Sequence, residues 1–279
     1  MHEWHRILNK VLTRGTERDD RTGVGTLALF GEQLVFDNSN GTFPAVTTKR
    51  LAFSQVCSEL ACFLKGYDNL ADFHKENCHI WDANGNAPYW KPRARFEGDL
   101  GRIYGVQWRS WTSPRYDSTG DTLEVDQIRA LVDSMSTDPH GRRHIVSAWN
   151  SGEFDKACLP PCHILFQAYV VNGQVDLRVD MRSVDLFLGL PFDIASYAVL
   201  QKLLAKELSL KSGRLIFQLG DAHIYKNHID QVKLVLTRTP LGPPSILIGH
   251  EATIFNFSHH DAMLADYNHH GTVSAPMNV

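Results

Sequence analysis

The residue best suited to attack a substrate is Cys162, in the run Leu159-Pro160-Pro161-Cys162-His163-Ile164-Leu165-Phe166-Gln167. Two prolines fix φ and withhold N–H donors, which holds the cysteine at the start of a strand. A thiol beside cations ionises more readily, and the thiolate is a nucleophile. Alone, the run reads as a small apolar cysteine opening a core strand. Arginines elsewhere in the chain change the balance. Arg142 and Arg143 stand at the start of an apolar strand, where paired guanidinium groups suit either phosphate or a solvated basic turn. Arg21 lies in a loop with Gly23 and Gly25, whose spacing fits neither a P-loop nor a dinucleotide fingerprint.

Two carboxyls sit where they could handle protons. Glu59 falls between Val56 and Phe63 at helical spacing, on or beside an apolar face. There it reaches water, pairs with a cation, or has its pKa raised as proton-handling acids do. Asp193 follows Leu190-Pro191-Phe192 and is expected in the first turn of a helix, where the dipole alone favours an acid.

Periodicity supplies the elements that must hold these groups. Residues 3–15 read as a helix through Trp4, Ile7, Leu8, Val11 and Leu12, with Gly15 as its stop. Residues 27–36 read as a strand, and 51–65 as a helix with Gly66 beyond its end. Residues 83–100 form an irregular excursion. Tyr104, Trp108 and Trp111 are core rings or the wall of a site for a flat ligand. A helix over 125–136 and a strand over 145–149 follow. Residues 164–171 and 175–181 make a hairpin around Asn172-Gly173. On its second strand Asp176, Arg178, Asp180 and Arg182 share a face, which is either wet surface or the lining of a pocket. A helix to about residue 208, a strand at 217–219, a helix after His228 and a strand at 245–248 complete the chain.

Composition narrows the function. With 279 residues and 43% hydrophobic content, the chain can build its own core. A net charge of -3 argues against general polyanion binding, so no nucleic-acid partner is expected and an anion site must be a local arginine cluster. Five cysteines without a C-x-x-C pair suggest a reducing compartment, the cytoplasm. The first residues lack a signal-peptide core, and no apolar run approaches a membrane span. His259-His260 and His269-His270 are adjacent rather than on one helix face, so no metal is expected.

Taken together, the segments resemble thymidylate synthase, nearly end to end. The resemblance rests on Asp20-Arg21-Thr22-Gly23, Thr47-Thr48-Lys49-Arg50, Arg142-Arg143 with Val146-Ser147-Ala148-Trp149, Pro160-Pro161-Cys162-His163 and Arg182-Ser183. Phe187-Leu188-Gly189-Leu190-Pro191-Phe192, Ala195-Ser196-Tyr197 and Asp221-Ala222-His223-Ile224-Tyr225 continue it in the same order. It implies a single α+β domain over residues 1–279, a large mixed twisted β-sheet layered with helices, and a sheet face forming a homodimer interface. It implies Cys162 as the nucleophile that adds to C6 of a pyrimidine. Arg21, Arg182 and Ser183 would hold the 5′-phosphate, with Arg142 and Arg143 reaching in from the partner subunit. His223 and Tyr225 would bind the sugar 3′-hydroxyl, and Glu59 would organise proton transfers. Trp81, Asp185 and Val279 would contact the co-substrate 5,10-methylenetetrahydrofolate, Tyr104 would lie near the reacting carbon, and Lys49 would meet the folate's glutamate tail.

One departure is informative. Thymidylate synthases carry asparagine at the position of Asp193. That amide matches uracil, whereas cytosine offers a 4-amino donor and a bare N3 acceptor, which a carboxyl group serves better. Aspartate here resembles the deoxycytidylate hydroxymethylases of the superfamily, so dCMP is the expected substrate and 5-hydroxymethylation the expected reaction. Methylation of dCMP or dUMP is the alternative. Asp180 and Met181 also depart from the usual Tyr-Gln and bear on the fate of the methylene intermediate. A cysteine hydrolase would need a histidine in reach of the thiol, and His163, next door on a strand, is expected to point away. A non-catalytic binding protein is the remaining class.

Overall fold

Helix α1 (His2–Arg14) buries Trp4, Ile7, Leu8 and Val11 on one face, and the N–H of Gly15 returns to the Val11 carbonyl at 2.8 Å. The computed structural model describes residues 1–114 and 122–278. Strands β1 (Thr16–Arg18) and β2 (Thr26–Asp37) flank the arginine loop. Helix α2 (Phe53–Lys65) ends at Gly66, whose φ of 69° is the left-handed closing conformation that glycine adopts without strain. Short helices α3 (Leu70–Lys75) and α4 (Asp82–Gly85) follow, the second opening the irregular excursion. Helix α5 (Tyr104–Arg109) buries the Tyr104 and Trp108 rings. Strands β3 (Trp111–Pro114) and β4 (Thr122–Val125) pair with each other, then come α6 (Gln127–Thr137) and β5 (Ile145–Ser147).

The hairpin of β6 (His163–Val171) and β7 (Gln174–Asp185) turns at Asn172 and Gly173, with φ of 50° and 72°. Two positive φ values in a two-residue loop match the right-handed strand twist. Helix α7 (Gly189–Glu207) begins a turn earlier than its sequence suggests, so Asp193 lies in the second turn and is not an end-of-helix acid. Pro191 sits in the first turn, where its missing N–H leaves no bond unmade. Strand β8 (Lys211–Tyr225) is far longer than residues 217–219. Helix α8 (Ile229–Leu236) and the pair β9 (Ser245–Ile248) and β10 (Ala262–Ala265) end the described fold.

One mixed sheet organises the molecule, in the order β1-β2-β8-β7-β6-β5. Strands β7 and β8 run parallel, and the other neighbours are antiparallel. The fold is α+β. Val175, Leu177, Val179 and Met181 of β7 are buried against the helical layer. On the opposite face Arg178 bonds Asp180 at 2.8 Å, while Asp176 is buried and held by Arg214 at 2.7 Å. The polar side of β7 is therefore mainly the outer surface of the sheet. A row of partners Val35, Ile216, Arg178, Gln167 and Ile145 crosses five strands there, and Val35, Ile145 and nearby Tyr169 remain exposed.

Helix α7 is apolar nearly all round because it lies between this sheet and α2. Its buried Gln201 donates to the carbonyls of Val175 (2.8 Å) and Arg214 (2.9 Å) and accepts from Asn38 at 2.8 Å. Replacing it with leucine strands these polar groups in the core. Gln201→Leu should lower the unfolding free energy by about 2–4 kcal/mol, read from the urea midpoint. A loss below about 0.5 kcal/mol would mean that the three bonds do not hold helix to sheet.

Candidate active site

The ends of β7 and β8, the start of α7, the face of α2 and the C-terminal segment enclose a cavity of about 420 Å³. Its polar wall carries Lys49, Glu59, Asp185, Asp193 and Tyr225, and its apolar wall Ile80, Leu188 and Phe192. Ala275, Met277 and Asn278 close one side. Asn278 exchanges amide hydrogen bonds with Asn227, and His228 bonds the Pro276 carbonyl at 2.8 Å. Val279 lies outside the described residues. A larger hollow, about 590 Å³, opens near Arg95 and Arg102, but these cations already pair with Asp68, Asp99 and Glu153.

Cys162 immediately precedes β6. Its carbonyl accepts the Arg182 N–H at 2.8 Å, so the β6–β7 pairing delivers this arginine to the thiol. The guanidinium donates to the Pro161 carbonyl (2.8 Å) and the Pro160 carbonyl (3.0 Å) and comes within 3.9 Å of Sγ. Tyr104 Oη accepts the Cys162 N–H at 2.6 Å. Burial pushes the thiol above its ordinary pKa, Arg182 opposes this, Asp193 reinforces it, and Tyr104 opposes it. The balance keeps a proton on sulfur. The sequence suggested a thiolate; one guanidinium does not overcome desolvation in the isolated chain.

Three further groups share this desolvated setting. Burial drives the Asp193 carboxyl well above its ordinary range, and the nearby acids Glu59 and Asp185 add to the shift. Burial also pushes Glu59 up to about 7, although Trp81 Nε1 donates to it at 2.8 Å and pulls the other way. His163 is buried and pushed down to about 3, so it is neutral. Its Nδ1 meets Tyr197 Oη at 2.7 Å, its Nε2 lies 4.0 Å from Asp193, and its ring stacks on Tyr104 at 4.0 Å. Among the described residues no histidine hydrogen-bonds the thiol, which removes the dyad a cysteine hydrolase needs. The sequence motif contained Tyr197 without a role. Its placement four residues after Asp193 on one helix was the available signal.

The remaining site residues divide by position. In the parallel β7–β8 register Ser183 faces Asp221 and Asp185 faces His223. Asp221 holds His223 Nδ1 at 3.0 Å and Arg18 at 2.8 Å, an arginine that no motif singled out. Burial pushes Tyr225 up to about 12. Asp185 Oδ1 accepts the N–H groups of Phe187 (2.8 Å) and Leu188 (3.2 Å), turning the chain into α7. Lys49 is buried, pushed down to about 8 by desolvation, and donates to the Phe187 carbonyl at 2.6 Å. Its amine is therefore held at this carbonyl within the cavity wall. Arg21 is exposed on the β1–β2 loop. Arg142 and Arg143 are exposed before β5, at the sheet edge, and their side chains make no ion pair or hydrogen bond among the described residues.

A family model described as thymidylate synthase matches residues 2–279. The chain belongs to the thymidylate synthase family. Thymidylate synthase family enzymes transfer a one-carbon unit from methylenetetrahydrofolate to C5 of a pyrimidine nucleotide, and this chain is a one-carbon transferase of that kind. Among the described residues no helix is long and apolar enough to cross a membrane.

The raised Glu59 value has a consequence for stability. Its ordinary value is 4.5 and its folded value about 7, so the folded protein holds this proton more tightly than the unfolded chain. That contribution is full below 4.5 and is lost as pH rises through about 7. The difference in urea midpoint between wild type and Glu59→Gln should therefore shift against wild type between about pH 4.5 and 7. Parallel curves across that range would contradict the assignment.

Proposed function

We propose that this protein is a dCMP 5-hydroxymethylase that works through a covalent Cys162 adduct. The observation that carries the reading is the place of Asp193, a carboxyl in the cavity wall that lies 4.0 Å from His163 Nε2 and that burial drives towards its protonated form. A neutral carboxyl group donates through its O–H and accepts through its carbonyl oxygen. Cytosine presents the matching pair, a bare N3 and a 4-amino group. In the carboxyl orientation that serves cytosine, uracil's N3–H and O4 set donor against donor and acceptor against acceptor, which costs on the order of 1–3 kcal/mol for each buried group left unpaired.

The other residues fit a chemical order. Seating the nucleotide phosphate among Arg21, Arg182 and Ser183 positions C6 against Sγ. Arg182 also braces the Pro160-Pro161 carbonyls, so the thiol is presented on a fixed loop. Addition of the thiolate to C6 makes C5 nucleophilic. Methylenetetrahydrofolate, when bound, supplies the one-carbon unit at C5. Glu59, with a pKa near neutrality, is suited both to give and to take protons at the ring. Loss of the C5 proton with departure of tetrahydrofolate would leave an exocyclic methylene on the pyrimidine; water adds to it, giving hydroxymethyl, and cleavage of the Sγ–C6 bond returns the cysteine. The donor set fits a flat co-substrate: Ile80, Leu188 and Phe192 are apolar, and Asp185 supplies a carboxylate. Trp81 would offer its ring, since its N–H is committed to Glu59. His223 and Tyr225 would meet the sugar hydroxyl.

Reductive methylation of the same base is the second reading. It is favoured by the C-terminal residues Ala275, Met277 and Asn278, which narrow the cavity and would limit water near the methylene carbon. The placement of Arg142 and Arg143, exposed at the sheet edge, supports their service to a second subunit. The exposed Val35, Ile145 and Tyr169 supply an apolar face for such a homodimer.

Mass spectrometry of the product from dCMP and methylenetetrahydrofolate should show a hydroxymethyl group; a product lighter by one oxygen would establish methylation instead. Cys162→Ser should abolish turnover while retaining nucleotide binding, and a fully active variant would remove the covalent step. Asp193→Asn should move the dCMP to dUMP ratio of kcat/KM towards dUMP by about 100-fold. Mixing inactive Cys162→Ser with inactive Arg143→Ala should restore activity in hybrid dimers; continued inactivity in verified hybrids would place the arginine's action within its own subunit.

A further inference from the structure

Outside the cavity, the turn between α3 and α4 brings three metal-ligating side chains together. His74 stands in the last turn of α3, His79 follows the left-handed residue Asn77, and Asp82 opens α4. His74 Nε2 lies 2.7 Å from Asp82 Oδ1, and His79 Nδ1 lies 3.4 Å from Asp82 Oδ2. The two imidazoles stack with centroids 4.4 Å apart. One donor atom from each residue falls within 4.8 Å of the others. We propose that His74, His79 and Asp82 form a site for a divalent transition metal, Zn²⁺ foremost.

The chemistry and geometry both point this way. Two imidazole nitrogens and one carboxylate oxygen are a donor set that zinc accepts readily, with water completing the tetrahedron. Bonds of about 2.0–2.1 Å set donor separations of about 3.3 Å, and the three donor atoms already lie within 4.8 Å of one another. The backbone that carries the donors is already braced. Asn77 and Cys78 N–H groups return to the carbonyls of His74 and Phe73, and the Asp82 N–H returns to His79. All three side chains are partly or largely exposed, which leaves room for bound water. The sequence reading expected no metal from the adjacent pairs His259-His260 and His269-His270 and did not single out these three residues, which only the turn unites.

The position gives the site a consequence. Trp81, between the donors, gives its N–H to Glu59, and its ring packs edge-on against Phe73, the neighbour of His74. A metal tying His74 to Asp82 would clamp both ends of this aromatic contact. The site lies outside the nucleotide chemistry and stands or falls independently of the reaction proposed above.

Isothermal titration of metal-free protein with Zn²⁺ tests it. One ion per chain should bind with micromolar affinity, and His74→Ala and His79→Ala should each weaken it by roughly tenfold or more. Both histidines are solvent-facing, so the variants should keep the wild-type unfolding midpoint in chelator, and the rise in that midpoint with Zn²⁺ should vanish in both. Co²⁺ should give visible absorption without a sulfur-to-metal band. Unchanged affinity in either variant, a band that disappears in Cys162→Ser, or no uptake at millimolar Zn²⁺ would overturn the assignment.

Discussion

Desolvation is the constraint on which the cavity depends. Glu59, Asp193 and Cys162 are all pushed towards their protonated forms, and His163 towards its neutral form. Three acidic groups close together would repel if ionised, and among the described residues only Arg182 is aimed at the thiol. Keeping the protons in place avoids burying unpaired charge. The same condition favours the protonated form of Asp193 and leaves Glu59 near the midpoint of its titration at neutral pH. Recognition and proton transfer, as proposed above, would then be two results of one dry environment.

The sheet makes that environment. Antiparallel pairing of β6 with β7 sets Arg182 beside Cys162, and parallel pairing of β7 with β8 sets Asp185 beside His223 and Ser183 beside Asp221. Helix α7 then covers the sheet and carries Asp193 into the wall, while Asp185 caps the turn that starts the helix. The polar residues at the strand ends are fixed by main-chain bonds on both sides, so their spacing does not depend on flexible loops.

Much of this was legible beforehand. The amphipathic spacing of α1, the glycine after α2 and the Asn-Gly hairpin each state their structure locally. The position of Asp193 did not, because Pro191 resembles a boundary although the first helical turn tolerates it. Strand β8 was hidden for a different reason: Gly220, Asp221 and His223 have little intrinsic preference for strands, and the neighbours β2 and β7 impose the conformation. The buried amine of Lys49 and the proton held on Cys162 depend on burial, which spacing along a chain does not report. The His74, His79 and Asp82 cluster arises only when Asn77 reverses the backbone.

A cysteine that retains its proton is slow to react with peroxides, alkylating agents and mixed disulfides, since each attacks or captures the anion. The resting chain therefore guards its most vulnerable atom from oxidative loss. Four other thiols, Cys57, Cys62, Cys78 and Cys158, are buried. In the proposed mechanism the thiolate forms only with a nucleotide seated, and the pyrimidine then occupies the line of approach.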